Sequence, residues 1–349
     1  MGVTCADAPV DKVLPSVSVV IPCLNEERFI AEVIERLVPQ YDGKLFEIIV
    51  VDGGSTDRTR DVVAKCGERW PESKIKIINN AARHIAIAVN LGISEARGEV
   101  IVRMDAHSVP SPNYVMRCVE LLRSENAAVV GMPWRINAGA ATPAARAIAL
   151  AVSHPFGIGD AKYRLLREGE PRSVDTVPFG VFRKSLWEEL GGFNEALLAN
   201  EDYDFNYRVR QHGGHILLDT AAHSIYFARP TFIELARQYF RYGHWKAQMI
   251  KLHPRSARWR QAVAPAFVAA IMGLSFVGFW RETAWWLLLI VMTVYLLLAS
   301  AFALRLVRRA KESKLLPMII LSFLVIHFAW GGGFWNGLLR GAFLASRES

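Results

Sequence analysis

The chain has 349 residues, enough for a complete α/β domain with a further segment beside it. Its net charge of +8 would suit nucleic acid, but Arg255, Arg258 and Arg260, and again Arg305, Arg308, Arg309, Lys311 and Lys314, flank long apolar runs; that placement fits an anionic membrane surface and argues against a nucleic-acid partner. The four cysteines, Cys5, Cys23, Cys66 and Cys118, form no C-x-x-C pair and have no histidine at metal spacing, which excludes a disulfide framework and a zinc site.

Residues 1–15 carry neither the basic nor the apolar stretch of a secretory signal, and Ala6 stands where myristoylation needs Ser or Thr. The folded domain beyond this N-terminal extension is expected to stay in the cytosol. Residues 17–22, VSVVIP, are a short β-branched apolar run that predicts a buried strand. Asn25 offers an N-cap, and Glu26 and Glu27 load the first turn of a helix reaching Leu37. Residues 46–51, FEIIVV, read as a second strand ending in DGGSTD, with a helix from Thr56 to Cys66. A strand at 75–78, a helix at 82–96 and a strand at 100–103, ending at Met104-Asp105, continue the alternation. Such alternation predicts a mostly parallel, doubly wound sheet, whose ligands sit beyond the carboxyl ends of its strands. Asp52 and Asp105 both lie at such ends. From 127 to 227 the pattern is mixed: AAVVG, VPFGVF, a helix near 183–190, EDYDFNYRVRQ as a helix stopped by Gly213-Gly214, and a strand at 215–219.

Residues 231–250 place Phe232, Leu235, Ala236, Tyr239 and Phe240 on one helical face, with Arg237, Arg241 and Lys246 among or opposite them. This predicts either a helix lying in a membrane interface or a surface helix packed on the domain. Apolar segments at 262–280, 284–304 and 315–335 are each near the ~20 residues that cross a hydrocarbon core. The first two form a tight hairpin with Trp280, Trp285 and Trp286 at its tip, as in an interfacial aromatic belt. The basic segment RLVRRAKESK before the third puts that segment and the catalytic part on the cytosolic side and the tip outside. Gly331, Gly332 and Gly333 interrupt the third segment, which either crosses or bends and returns.

Three acidic groups lie where such a sheet builds its site, and each also has a plain structural reading. DGGSTD, from Asp52 to Asp57, suits nucleotide binding, because a strand-end carboxylate can bond a base or ribose while glycines admit backbone and a helix N-terminus favours negative charge. It equally suits a capped turn. Asp105 and His107 can converge on a divalent ion that bridges a diphosphate, or stand as a solvated loop pair. Glu201 and Asp202 open a helix, where acids stabilise the dipole; an acid there also meets the need for base activation of an acceptor hydroxyl. His223 is placed to complete a metal shell, while His244, His253 and His327 are isolated and read as structural.

Taken in order, VSVVIPCLNE, VVDGGSTDRT, NLGISEARGEVIVRMDAH and EDYDFNYR resemble the family-2 glycosyltransferases of the GT-A fold over residues 16–250. The D-A-H form of the D-x-D motif, QYFRYGHWK and the short membrane tail are most similar to membrane-anchored, succinoglycan-biosynthesis-type glucosyltransferases. The resemblance implies a GT-A α/β catalytic domain, Rossmann-like with a mostly parallel sheet, at 16–228. Span length and loop charge, read from the residues themselves, add an amphipathic interface helix and linker at 229–258 and an α-helical transmembrane region at 259–349. The implied reaction is inverting, metal-dependent transfer from a nucleotide-sugar donor, a UDP-hexose, to a lipid-linked saccharide acceptor. It would run at the cytosolic face of a bacterial-type inner membrane, in exopolysaccharide or cell-envelope glycan synthesis.

By the same resemblance Pro22 and Glu26 line the nucleotide pocket, Asp52 reads the base, and Asp105 contacts the ribose or the metal-bound diphosphate. His107 stands where the family's second metal-binding Asp lies. Asp202 is the implied catalytic base with Glu201 in support, and Gly180 of VPFGVF lies beside donor sugar and acceptor. Gln238 and Arg241 fall on the Q-x-x-R-W motif of processive members, with Tyr242 in place of its Trp, and Arg241 would pair with the departing diphosphate. Tyr242 and the few spans depart from polymer-extruding synthases. Histidine at 107 adds a nitrogen ligand and removes a negative charge, which favours Mn2+ over Mg2+. Two rival expectations stand beside this one: a polyprenyl-phosphate sugar synthase, whose acceptor needs no base, and a catalytically silent nucleotide-binding membrane scaffold.

Overall fold

The computed structural model describes residues 14–41, 46–166 and 168–340; Cys5, nearly all of the 1–15 extension and residues 341–349 lie outside them. The β-branched runs form strands buried on both faces. In chain order the first half gives β1 (Val17–Cys23), α1 (Ile30–Leu37), β2 (Phe46–Asp52), α2 (Thr59–Arg69), β3 (Ile75–Asn79), α3 (Ile85–Ser94) and β4 (Val100–Arg103). These four strands are parallel, in the order β3-β2-β1-β4. All of β2 is buried, as expected for a strand covered by helices on both faces. The registers Cys23↔Asp52 and Asp52↔Asn79 bring the carboxyl ends to one edge.

The mixed region supplies β5 (Ser108–Pro110), α4 (Tyr114–Ser124), β6 (Val129–Gly131), β7 (Trp134–Ala138), α5 (Pro143–Ala151), α6 (Pro155–Ile158) and α7 (Lys162–Leu165). There follow β8 (Arg172–Ser173), β9 (Val181–Arg183), α8 (Lys184–Glu189), α9 (Glu201–Gln211), β10 (Ile216–Leu218) and β11 (Ser224–Ala228). The main sheet continues β4-β9-β6-β10-β8, with β9 antiparallel to both neighbours and β8 antiparallel to β10. It is therefore mostly parallel. A second sheet, β5-β11-β7, was not foreseen in the sequence.

One sequence expectation is corrected at the first helix. Asn25 does not cap it: α1 starts at Ile30, and Asn25 adopts φ 57°. Its Oδ1 accepts from the Thr56 amide at 2.8 Å, while the Asn25 and Glu26 amides donate to Ser55 Oγ and Thr59 Oγ1, both at 2.8 Å. Side-chain bonds to nearby backbone compete with helix formation, and here they zip the loop after β1 to the loop after β2.

The tail comprises α10 (Phe232–Leu252), α11 (Trp259–Gly278), α12 (Glu282–Ala310) and α13 (Leu316–Leu339). The last three helices are long and apolar enough to cross a membrane. The α13 helix is continuous through Gly331–Gly333; Gly333 admits the Phe240 carbonyl and Gly331 that of Ala264. Small residues that permit such approach are characteristic of helix packing in lipid. The α10 face that packs on α13 is buried, so the helix is held against the tail as well as the domain. Arg258 and Arg260 pair with Asp175, at 3.5 and 3.2 Å, so part of the basic flank ties α11 to the catalytic domain.

Candidate active site

The centre of the site is a residue that sequence reading passed over. Arg103 ends β4 and is 2% exposed. Its Nη2 lies 3.0 Å from Asp105 Oδ1 and 3.3 Å from Glu201 Oε1, and its Nη1 lies 3.0 Å from Asp202 Oδ2. The guanidinium also stacks 5.2 Å over the Phe179 ring. Four buried or half-buried charges thus meet at the carboxyl end of the sheet. Burial would lower the Arg103 pKa, but the three acids hold it above its usual value. The signal in the sequence was a lone arginine ending an otherwise apolar strand, VIVR.

Glu201 and Asp202 arrive on the first turn of α9, preceded by Asn200 in the left-handed conformation, φ 66°. Burial raises both carboxyls, Asp202 up to about 7, with Arg103 opposing the rise and neighbouring acids adding to it. Asp202 remains open to a ligand, its side chain 26% exposed on the cavity wall. A base poised near neutrality suits proton removal from a hydroxyl.

His107 places Nδ1 3.0 Å from Glu26 Oε1. Burial would lower the His107 pKa, but the Glu26 bond and the charge of Asp105 raise it. A carboxylate on one ring nitrogen, leaving the other for a metal, is the usual arrangement around metal-binding histidines. Asp105 Oδ1 is buried and, despite its proximity to Arg103, has no hydrogen-bond donor among the described residues. These two side chains fit a divalent cation that takes its remaining oxygens from a diphosphate. Among the described residues no group of three His, Cys, Asp or Glu side chains could hold a metal unaided. His223 is not among the residues that line the cavity; its amide and carbonyl are bonded to Ser111, at 3.0 and 2.8 Å.

Asp52 is fully buried, with Oδ1 accepting from Ser55 Oγ at 2.5 Å and Oδ2 from Arg60 Nη1 at 2.7 Å. Burial would raise its pKa; the Ser55 and Arg60 bonds prevail and lower it. Pro22 is paired in register with Val51, next to that carboxylate. Gly180 lies one residue past the cavity-lining Phe179 and packs on Val129. Gln238 is buried, donating to the Tyr226 and Tyr242 hydroxyls at 3.0 and 3.1 Å. Arg241 lines the cavity beside the acids.

The cavity holding Asp105, His107, Glu201 and Asp202 has a volume of about 1050 Å³. Its wall also includes Lys246 and Phe267, Tyr295 and Trp330 of the tail helices. A Rossmann-like sheet with acids at its carboxyl edge, open to an apolar tail, defines a membrane-associated enzyme of the GT-A fold class. Residues 18–191, about half of the chain, match the family model Glycosyl transferase family 2. The chain belongs to that family and is a glycosyltransferase.

Over nearly its whole length the chain is similar to succinoglycan biosynthesis protein ExoA of Rhizobium meliloti (strain 1021), 27% identical over 329 residues, 92% of this chain and 94% of that protein. It is 24% identical, over 93% of its length and 98% of the relative's, to a dolichyl N-acetyl-alpha-D-glucosaminyl phosphate 3-beta-D-2,3-diacetamido-2,3-dideoxy-beta-D-glucuronosyltransferase of Methanococcus voltae. The solved mannosyltransferase PcManGT of Pyrobaculum calidifontis, in complex with GDP-Man and Mn2+, shares the fold with a TM-score of 0.62 at 19% identity, over 92% of this chain and 88% of that one.

Proposed function

We propose that the protein transfers a hexose, with inversion, from a UDP-linked donor to a lipid-linked saccharide, in exopolysaccharide or cell-envelope glycan synthesis. The observation that carries this reading is the single cavity joining the Arg103-centred acids to the apolar tail helices. A soluble acceptor needs no such apolar extension; a lipid-borne one does. The relatives named for succinoglycan synthesis and for a dolichyl phosphate acceptor support the same substrate class.

In this mechanism Asp202 takes the proton of the acceptor hydroxyl as that oxygen attacks the anomeric carbon. The bond to the diphosphate breaks, and its electron pair leaves with the nucleotide. Arg103 holds one Asp202 oxygen at 3.0 Å, which fixes the carboxylate while leaving the other oxygen for the proton. Glu201 shares the same arginine and keeps the α9 turn in place. Asp105 and His107 would hold a divalent cation, which neutralises diphosphate charge. Imidazole ligation favours Mn2+ over Mg2+, and the Mn2+ bound in PcManGT supports a divalent metal. Arg241 would meet the departing diphosphate.

Placement at the cytosolic face of an inner membrane is supported by the basic segment 305–314, whose Glu312 pairs with Arg146 of the catalytic domain at 3.4 Å. The test is a screen of UDP- and GDP-sugars with the purified full chain, followed by Asp202→Asn. The variant should bind donor and release no nucleoside diphosphate upon addition of acceptor. Retained transfer would remove Asp202 as base and favour a lipid phosphate acceptor, which needs no deprotonation.

A further inference from the structure

Among the described residues, two buried cations lining the cavity have no paired counter-charge. Arg164 of α7 is 6% exposed and Lys246 of α10 is 5% exposed, and both line the cavity. Neither has a described carboxylate within ion-pair distance. Arg164 is enclosed by aromatic faces, 4.9 Å over Trp134, 5.6 Å over Tyr163 and 5.9 Å over Tyr226, and its Nη1 donates to the Tyr239 hydroxyl at 3.3 Å. Lys246 Nζ lies 3.3 Å from the centre of the Tyr203 ring, the residue after Asp202, and its nearest polar partner is Met249 Sδ at 3.7 Å. Asp175, the acid whose charge reaches Lys246, is already paired with Arg258 and Arg260.

Arg103, the other buried cation of the site, is by contrast balanced by three acids. Burying an uncompensated cation is costly; aromatic faces recover only part of that cost, and burial lowers the Lys246 pKa to about 7, so an anion beside it would restore its full charge. An anionic ligand would supply the missing charge. Position narrows its nature. Tyr239, which holds Arg164, and Lys246 lie on one face of α10, about 10 Å apart along its axis. That face shares the cavity with Asp202 and with Phe267, Tyr295 and Trp330: Lys246 meets Tyr203, the residue after Asp202, and Gly243 of the same helix packs on the Trp330 backbone. The donor's diphosphate has other cations nearby, since Arg241 acts on Glu201 and Arg229 on His107.

We infer that Arg164 and Lys246 bind the phosphate or diphosphate of a polyprenyl-linked acceptor, with the prenyl chain leaving between α11, α12 and α13. The inference rests on the glycosyl-transfer reading and adds the residues that recognise the acceptor's anion. The same chemistry exists in the donor, so the test separates the two sources.

The full chain in detergent micelles is titrated with farnesyl diphosphate, with farnesol, and with UDP or GDP in the presence of Mn2+, following intrinsic tryptophan fluorescence, to which the cavity-lining Trp134, Trp245, Trp259 and Trp330 contribute. Wild type should bind farnesyl diphosphate saturably and farnesol only as the micelle does. Arg164→Gln and Lys246→Gln should each weaken farnesyl diphosphate at least tenfold and leave the nucleotide unchanged. Unchanged prenyl diphosphate binding, weakened nucleotide binding, or equal loss of both would overturn the assignment, as would absence of farnesyl diphosphate binding in wild type. Melting curves control for folding. Where a glutamine variant melts early, Arg164→Lys and Lys246→Arg are read instead and should retain most of the binding. A wild type that binds nucleotide but no prenyl diphosphate sinks this inference alone; one that binds neither UDP nor GDP sinks the donor reading of the proposed function.

Discussion

Arg103 holds its charge among Asp105, Glu201 and Asp202 with almost no exposure to water. Removing one member of a buried ion network leaves the others uncompensated, typically at a cost of about 3–5 kcal/mol. Arg103→Gln should destabilise the fold by an amount of that order in urea unfolding. Glu201 and Asp202, already raised by burial, would lose the charge that opposes the rise, so the deficit is present at neutral and alkaline pH and shrinks as acidification protonates them. An unchanged midpoint at neutral pH would show that the network is not structural. The catalytic consequence of burial is a second prediction. Asp202 is raised to about 7 chiefly by burial, and a base acts only when deprotonated, so kcat should fall as pH drops through that value. An unburied aspartate would sustain the rate down to about pH 4. A flat profile between these two values would remove Asp202 from the base role. At this scale the acids were legible in the sequence, since strand ends and helix starts are local. Arg103, Arg164 and Lys246 were not, because what distinguishes them is the presence or absence of a partner many residues away in the chain.

Among the elements, the contact of α10 with α13 depends on glycines that have different jobs. A side chain on Gly333 would meet the Phe240 backbone and one on Gly337 the His244 carbonyl, whereas Gly332 faces only the edge of the Phe240 ring. Gly333→Val and Gly337→Val should therefore displace α10, which carries Gln238, Arg241 and Lys246, and destabilise by about 1–3 kcal/mol through overpacking. Gly332→Ala should be neutral in the same melting assay. If all three behave alike, the close approach is not what fixes α10. In the sequence these glycines looked like breaks in a span, because composition does not show which helix a glycine faces. The strands β1, β2 and β4 were legible nearly residue for residue, since burial on both faces leaves a run of β-branched residues with no alternation to misread. The second sheet was not. The pairing of β11 with β5 and β7 is long-range, and Trp134, stacked on Tyr226 at 4.2 Å, announces itself only once the strands are side by side.

For the whole molecule the open point in the sequence was whether the third apolar segment crosses the bilayer, and the packing of α13 bears on it. Near its start, Glu312 pairs with Arg146 just ahead of the helix, and Ile319 and Phe323 share a core with Ile148 of α5. Midway, His327 Nε2 is bonded to the Phe156 carbonyl at 2.8 Å. At its end, Gln248 Nε2 donates to the Gly337 carbonyl at 2.7 Å and Lys251 Nζ to those of Leu338 and Arg340, at 2.8 and 3.0 Å. Both ends are thus fastened to elements that precede the hairpin. The hairpin tip is different, with Phe279 and Trp280 at 76% and 67% exposure. A helix held along its length by the catalytic side cannot also deliver its end to the far face, so α13 should return Arg340 to the side on which the domain sits. Single cysteines at Glu68, Trp280 and Arg340 test this in a Cys5→Ser background, because the other three cysteines, Cys23, Cys66 and Cys118, are buried and should label slowly. In sealed inverted vesicles, an impermeant maleimide should modify Glu68→Cys and Arg340→Cys alike and spare Trp280→Cys until detergent is added. Protection of Arg340→Cys together with Trp280→Cys would make α13 a full crossing and require its contacts with α10 to form within the bilayer.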